Sequence, residues 1–157
     1  MPRRFSLLVA IVSSLALLGS LSVGTVSAAH GSGAHIFVFD LTPEAEIPVG
    51  DLGASGSAAI LIVPAADLIC YRLIWQDIEG LVIGAHIHEG SATVDNPAPL
   101  VGLIDANIDG TFSGAEGRFQ ACTISAEADA IAENPENYYV NIHSTEFTGG
   151  AIRGQLA

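Results

Sequence analysis

The chain has 157 residues, with 17 acidic side chains, five arginines and no lysine, and a formal net charge of −12 at pH 7. A field of that sign repels nucleic acid and anionic lipid, which excludes a function carried by a broad basic surface. It suits a soluble protein whose surface is a solvated acidic shell, and it can attract cations.

The first 29 residues read as a secretory signal. Arg3 and Arg4 precede a mostly apolar run from Phe5 to Leu21, and the small residues Ser27, Ala28 and Ala29 follow it. The run is barely long enough to span a bilayer, and the small residues at its end favour cleavage before Ala29 or His30. The sequence has no second apolar stretch of spanning length. The expected location is therefore secreted, extracellular or periplasmic, with no membrane attachment once the leader is removed. Cleavage would leave three basic residues, Arg72, Arg118 and Arg153, against all 17 acids. The remainder, residues 30–157, is about one small domain in length.

Beyond the leader the pattern is short strands and turns. Ile36 to Leu41 alternates apolar and polar residues, and Thr42-Pro43-Glu44 turns the chain. Glu44 and Glu46 are expected to be edge and turn residues. Ser57 to Val63 is an apolar run of strand length stopped by Pro64, and Leu68 to Trp75 is the next strand. Leu81 to His88 follows the Glu79-Gly80 turn, and the prolines between Ser91 and Pro99 mark a loop. Leu100 to Ile104 and Thr111 to Ile124 read as strands joined by a hairpin at Asp109-Gly110. Ser125 to Glu133 is the one helical segment, ended by Asn134-Pro135. Tyr138 to His143 and Ala151 to Leu156 are strands joined by the Thr148-Gly149-Gly150 turn. Many short strands at close spacing predict an all-β fold, a single Greek-key β-sandwich or barrel of about eight strands with one short helix near 125–133.

The two cysteines, Cys70 and Cys122, each sit in a strand-like run, and an exported chain with an even cysteine count favours a disulfide between them. Strand alternation puts His86 and His88 on one face, and His143 shares a face with Tyr139 and Asn141. Should the two strands neighbour each other, three imidazoles converge, a ligand set for copper, zinc, nickel or iron. The alternative is a polar patch in which the three rings only hydrogen-bond. Asp105-Ala106-Asn107-Ile108-Asp109-Gly110 with Glu116 matches a calcium-loop pattern, but its flanks read as strands, so a hairpin turn is the expected structure and calcium is not. An exposed N-terminal amine beside His30 would chelate copper adventitiously at most. The sequence has no G-x-S-x-G elbow, no glycine-rich phosphate loop and no C-x-x-C, and it supplies no set of catalytic residues.

Three stretches resemble the chordin-type (CHRD) domain family: Leu41 to Val49 (LTPEAEIPV), Ala85 to Gly90 (AHIHEG) and the ending Tyr138 to Leu156 (YYVNIHSTEFTGGAIRGQL). The resemblance spans nearly everything beyond the leader. It implies a secreted, non-catalytic binding or structural module whose extracellular ligand or protein partner is not named by the sequence. The histidine pattern is similar, more distantly, to copper-zinc superoxide dismutases, with His86, His88 and His143 matching three copper ligands. This chain departs from that family at the bridging histidine, at the zinc ligands and at the active-site arginine. The resemblance thus implies a related sandwich and, as an alternative function, a copper- or zinc-binding protein with a degenerate dismutase-like site.

Overall fold

A computed structural model describes residues 33–157; the leader, His30 and the expected cleavage site lie outside the described residues. Among the described residues, nine strands form two antiparallel sheets. The first sheet orders β1 (His35–Leu41), β2 (Ser55–Val63), β3 (Leu68–Gln76) and β7 (Glu116–Ile124). The second orders β5 (Val101–Asp105), β4 (Leu81–Glu89), β8 (Tyr138–Ser144) and β9 (Ile152–Gln155), with the two-residue β6 (Phe112–Ser113) also paired to β4. Long connections return β7 to the side of β3 and β8 to the side of β4, which is Greek-key crossing. The result is an open sandwich and not a closed barrel.

Alternation within each strand builds the core. In β3, Ile69, Tyr71, Leu73 and Trp75 point inward; in β2, Ala58, Ile60 and Ile62 do. They meet Val82, Ala85 and Ile87 from β4 and Val140 and Ile142 from β8, all fully or nearly fully buried. The polar ends of the large aromatics are satisfied, as burial demands. Tyr71 Oη donates to the Leu103 carbonyl at 2.6 Å and Trp75 Nε1 to that of Ser113 at 2.8 Å. Both bonds tie the first sheet to the chain that crosses from the second.

Cys70 and Cys122 face each other across β3 and β7 and form the expected disulfide. Titration of denatured, unreduced protein should therefore find no free thiol, and two free thiols would contradict the pairing.

Three local expectations need correction. The Asp109-Gly110 turn exists, with Gly110 at φ +82°, but it is not a hairpin. The strands on either side of it, β5 and β6, both pair with β4 and not with each other, and the crossing to β7 in the first sheet comes after β6. The turn is an excursion along one edge of the second sheet, and its local chemistry looks like a hairpin's. The run from Thr111 to Ile124 is accordingly two strands, broken at Gly114, which packs against the carbonyls of Ile78 and Gly80 so closely that no side chain would fit. The helix is shorter than expected, Ala128–Glu133. Ser125 Oγ instead accepts from the Glu127 amide in a turn that leads into it.

Candidate metal centre

The site lies on the face of the second sheet that points away from the core. Strands β4 and β8 pair so that His86 is opposite Asn141 and His88 opposite Tyr139, with a bulge between Ala85 and His86 on the β5 side. His143 follows two residues after Asn141 and leans toward His86. The three rings converge: centroids of His86 and His143 are 4.9 Å apart, and one ring nitrogen from each histidine lies within 4.8 Å of the others. The pair of strands that the sequence left unassigned are thus immediate neighbours. The cluster lines a groove of about 340 Å³, walled by Ile83, Pro97, Pro99 and Ile104 and open to solvent.

The ring orientations follow from what surrounds them. His88 Nδ1 lies 2.8 Å from the Asn96 carbonyl oxygen and 3.1 Å from that of Ala98. His143 Nδ1 lies 3.0 Å from the Thr148 carbonyl oxygen. A carbonyl only accepts, so in each neutral ring Nδ1 carries the proton and Nε2 carries the lone pair. Nε2 of His88 is buried with no hydrogen-bond partner, which is costly for an acceptor unless something binds it. Nε2 of His143 is 3.1 Å from Nδ1 of His86, which donates to it when no cation is present.

Burial holds all three rings below the ordinary imidazole range. It pushes His86 down to about 4, aided by the neighbouring His143 and His88. Burial also lowers His88, against the stabilising carbonyls of Asn96 and Ala98 and the Asn141 side chain, and lowers His143, aided by His88 and against the Thr148 carbonyl. The trio is neutral at pH 7, the state in which imidazole binds a metal.

A second group of residues holds the first in place. Tyr139 is stacked with His88, 5.0 Å between centroids and 5° between planes. Arg153, from β9 on the other side of β8, sets its guanidinium carbon 3.3 Å from the centroid of the same Tyr139 ring. Arg153 donates through Nη1 to the Val94 carbonyl at 3.0 Å and through Nη2 to that of Ser91 at 2.8 Å. Tyr139 Oη both accepts from the Asn96 amide and donates to its carbonyl, each at 3.1 Å. The loop over residues 91–99 is therefore clamped by Arg153 and Tyr139 at one end and by His88 at the other. Its carbonyls in turn fix which nitrogen His88 presents.

Arg153 caps the carbonyls of Ser91 and Val94 while only 1 % exposed. Glu46 is a departure from expectation. It is a turn residue, but its side chain is 3 % exposed, packed between Gly150 and the Arg153 region. A side chain on Gly150 (φ +136°) would run into the Glu46 carboxyl, so the glycine is required both by its backbone and by its neighbour. Burial pushes Glu46 up to about 7, against the opposing effects of the Arg153 charge and an Asn141 hydrogen bond. The only hint of this in the sequence is the run of apolar and proline residues around Glu46, in which an acid is out of place.

The aspartates of the calcium-like motif spend their oxygens inside the turn. Asp105 Oδ1 accepts from the Asn107 amide at 2.8 Å, and Asp109 Oδ2 from the Asp105 amide at 2.9 Å. Glu116 lies on β7 in the other sheet, paired with Gln76. Among the described residues, the one group of histidine, cysteine or acidic side chains arranged to hold an ion is His86, His88 and His143.

No curated protein and no solved structure matches the chain. A family profile, that of the CHRD domain, matches residues 37–156. The matched span takes in every described strand but the first two residues of β1, both histidine segments and the clamping arginine. This chain belongs to the CHRD domain family.

Proposed function

We propose that this protein is an exported, non-catalytic CHRD module that binds a single copper or zinc ion through His86, His88 and His143. The observation that carries the reading is the buried, unpartnered Nε2 of His88, aimed into a cluster with two other neutral imidazoles. In a metal site, ligand histidines donate their remaining N–H to a carbonyl or carboxylate, and His88 and His143 both do so. His86 would contribute Nδ1, giving up its hydrogen bond to His143. Metal–nitrogen bonds of about 2 Å place ligand nitrogens roughly 3.5 Å apart. The 3.1 Å separation of His86 and His143 is already of that order, and small side-chain rotations close the rest. Export rests on the basic and apolar leader, and it accords with the extracellular setting typical of CHRD domains. No helix among the described residues is long and apolar enough to cross a membrane.

Calorimetric titration with zinc, and with copper, tests the reading. The parent is expected to take up one equivalent. The His86→Ala, His88→Ala double variant should bind at least about a hundredfold more weakly, since loss of second-sphere partners alone costs about 10–100-fold. Equal binding by the two proteins would refute it. Free imidazole loses metal as pH falls through about 6.5. Here burial holds all three rings below that range, so affinity should persist to lower pH than it does for free imidazole.

A further inference from the structure

The first sheet turns its other face to solvent, and that face is divided. Cross-strand register places Ile36, Leu61, Cys70 and Cys122 in one row from β1 to β7. Val63, Leu68 and Ile124 form the row beyond it, and Val38 and Ala59 begin the row before it. Ile36, Val38 and Ile124 are each at least 70 % exposed. Apolar patches of this kind on a sheet face mark interaction surfaces. The opposite end of the same face is charged: one row runs Asp40, Ser57, Ile74, Arg118, with Arg72 above it and Glu116 below. Two of the three basic residues in the described part of this acidic chain stand here.

We infer that this face is the contact surface between two copies of the chain, packed sheet on sheet about a two-fold axis parallel to the strands. Such an axis keeps each row in register and reverses the strand order, so β1 of one copy lies over β7 of the other. The apolar rows then cover each other, with Ile36 over the partner copy's Cys122 and Leu61 over its Cys70. The charged row matches as well: Asp40 meets Arg118 twice, once on each side of the axis. A face that is self-complementary under this operation is what an isologous dimer needs. Sheets pack face to face in this aligned manner with a crossing angle of about 30°. Three strands of nine residues and one of seven, at about 4.8 Å spacing and about 3.4 Å per residue, give a face of about 550 Å². Two such faces bury about 1,100 Å², just above the lower bound of about 1,000 Å² for a specific interface. A second copy fits better than an acidic partner, because the two outer apolar rows carry no charge and Arg118 is answered by Asp40 in the same face. Both histidine grooves, on the far sheets, remain open.

Sedimentation equilibrium of the purified protein tests this. The parent should dimerise at micromolar concentration, with the dimer weakened at high salt. Asp40→Arg and Arg118→Asp should each weaken it at least about tenfold, by setting like charges opposite each other twice. The Asp40→Arg, Arg118→Asp double variant, in which the pair is exchanged, should return to within about threefold of the parent. Leu61→Glu should be monomeric. All three positions face solvent or the proposed interface, so the fold is expected to survive. Where a reversal fails to fold, Asp40→Asn and Arg118→Gln remove the same contacts without reversing charge. A parent that stays monomeric at about 0.1 mM overturns the inference. So does a dimer indifferent to the single reversals, or a double variant no stronger than either single.

Discussion

Replacing Arg153 by alanine is expected to cost about 3–5 kcal/mol of stability, read from denaturant unfolding. The guanidinium is buried and makes two charge-assisted hydrogen bonds to the carbonyls of Ser91 and Val94. Each such bond contributes about 1.5–3 kcal/mol, and both acceptors lose their partner when it goes. The contact with the Tyr139 ring adds up to about 2 kcal/mol in a desolvated setting. Against this stands the relief of burying a cation, which brings the sum back into the stated range. Lysine should not rescue, because a point charge cannot fork between two carbonyls. The same substitution should weaken metal binding although Arg153 is no ligand. It frees the 91–99 loop, whose Asn96 and Ala98 carbonyls set the tautomer of His88. An Arg153→Ala protein that unfolds at the parent's midpoint would contradict the clamp.

Glu46→Gln is expected to stabilise the protein at pH 8 by about 3 kcal/mol relative to the parent. The carboxyl ordinarily titrates at 4.5 and is pushed up to about 7 in the folded protein, chiefly by burial. A raised carboxyl binds its proton more tightly when folded. Its contribution is therefore fully present below pH 4.5 and is lost as pH rises through about 7. Glutamine has no such loss, so the two proteins should be alike in acid and diverge toward alkaline pH. The histidines act in the opposite sense. Their folded values are lowered, so the stability they contribute is present above about 6.5 and fades as pH falls below it, through about 4 for His86. Because the trio is common to parent and variant, its contribution cancels in the difference. Unfolding free energies measured from pH 4 to 8.5 check this, and a difference that stays flat over that range would show that Glu46 is ionised in the fold. An acid retained at such a cost, one side chain away from Arg153, is consistent with a role in setting the field around the clamp.

Much of this arrangement is legible in the sequence because strand alternation is a rigid rule. Two residues apart on a strand means one face, and that alone places His86 with His88 and Tyr139 with Asn141 and His143. The disulfide is legible for a similar reason, since both cysteines lie in clear strand runs. What alternation cannot say is which strands are neighbours. The pairing of β4 with β8 brings the third histidine in, and it depends on contacts between residues more than 50 positions apart. The Asp109-Gly110 turn shows the same limit from the other side. Its local chemistry is right for a reversal, but the chain beyond it returns to β4 through β6 and only then crosses to β7 beside β3. Glu46 was hidden for a different reason. An acid in a turn between two prolines reads as exposed, and only the packing of that turn onto Gly150 and the closing strand buries it.

The tautomers carry the functional reading, so histidine ring nitrogen resonances give its most direct test. Without metal at pH 7.5, His88 and His143 should show protonated Nδ1 and bare Nε2, as their carbonyl partners require. One equivalent of zinc should shift Nε2 of both, and the ring of His86, in a single saturable step, while His35 on β1 stays unmoved. Ring nitrogens of the trio that do not respond to stoichiometric zinc, or a response confined to His35, would contradict a metal centre at this site.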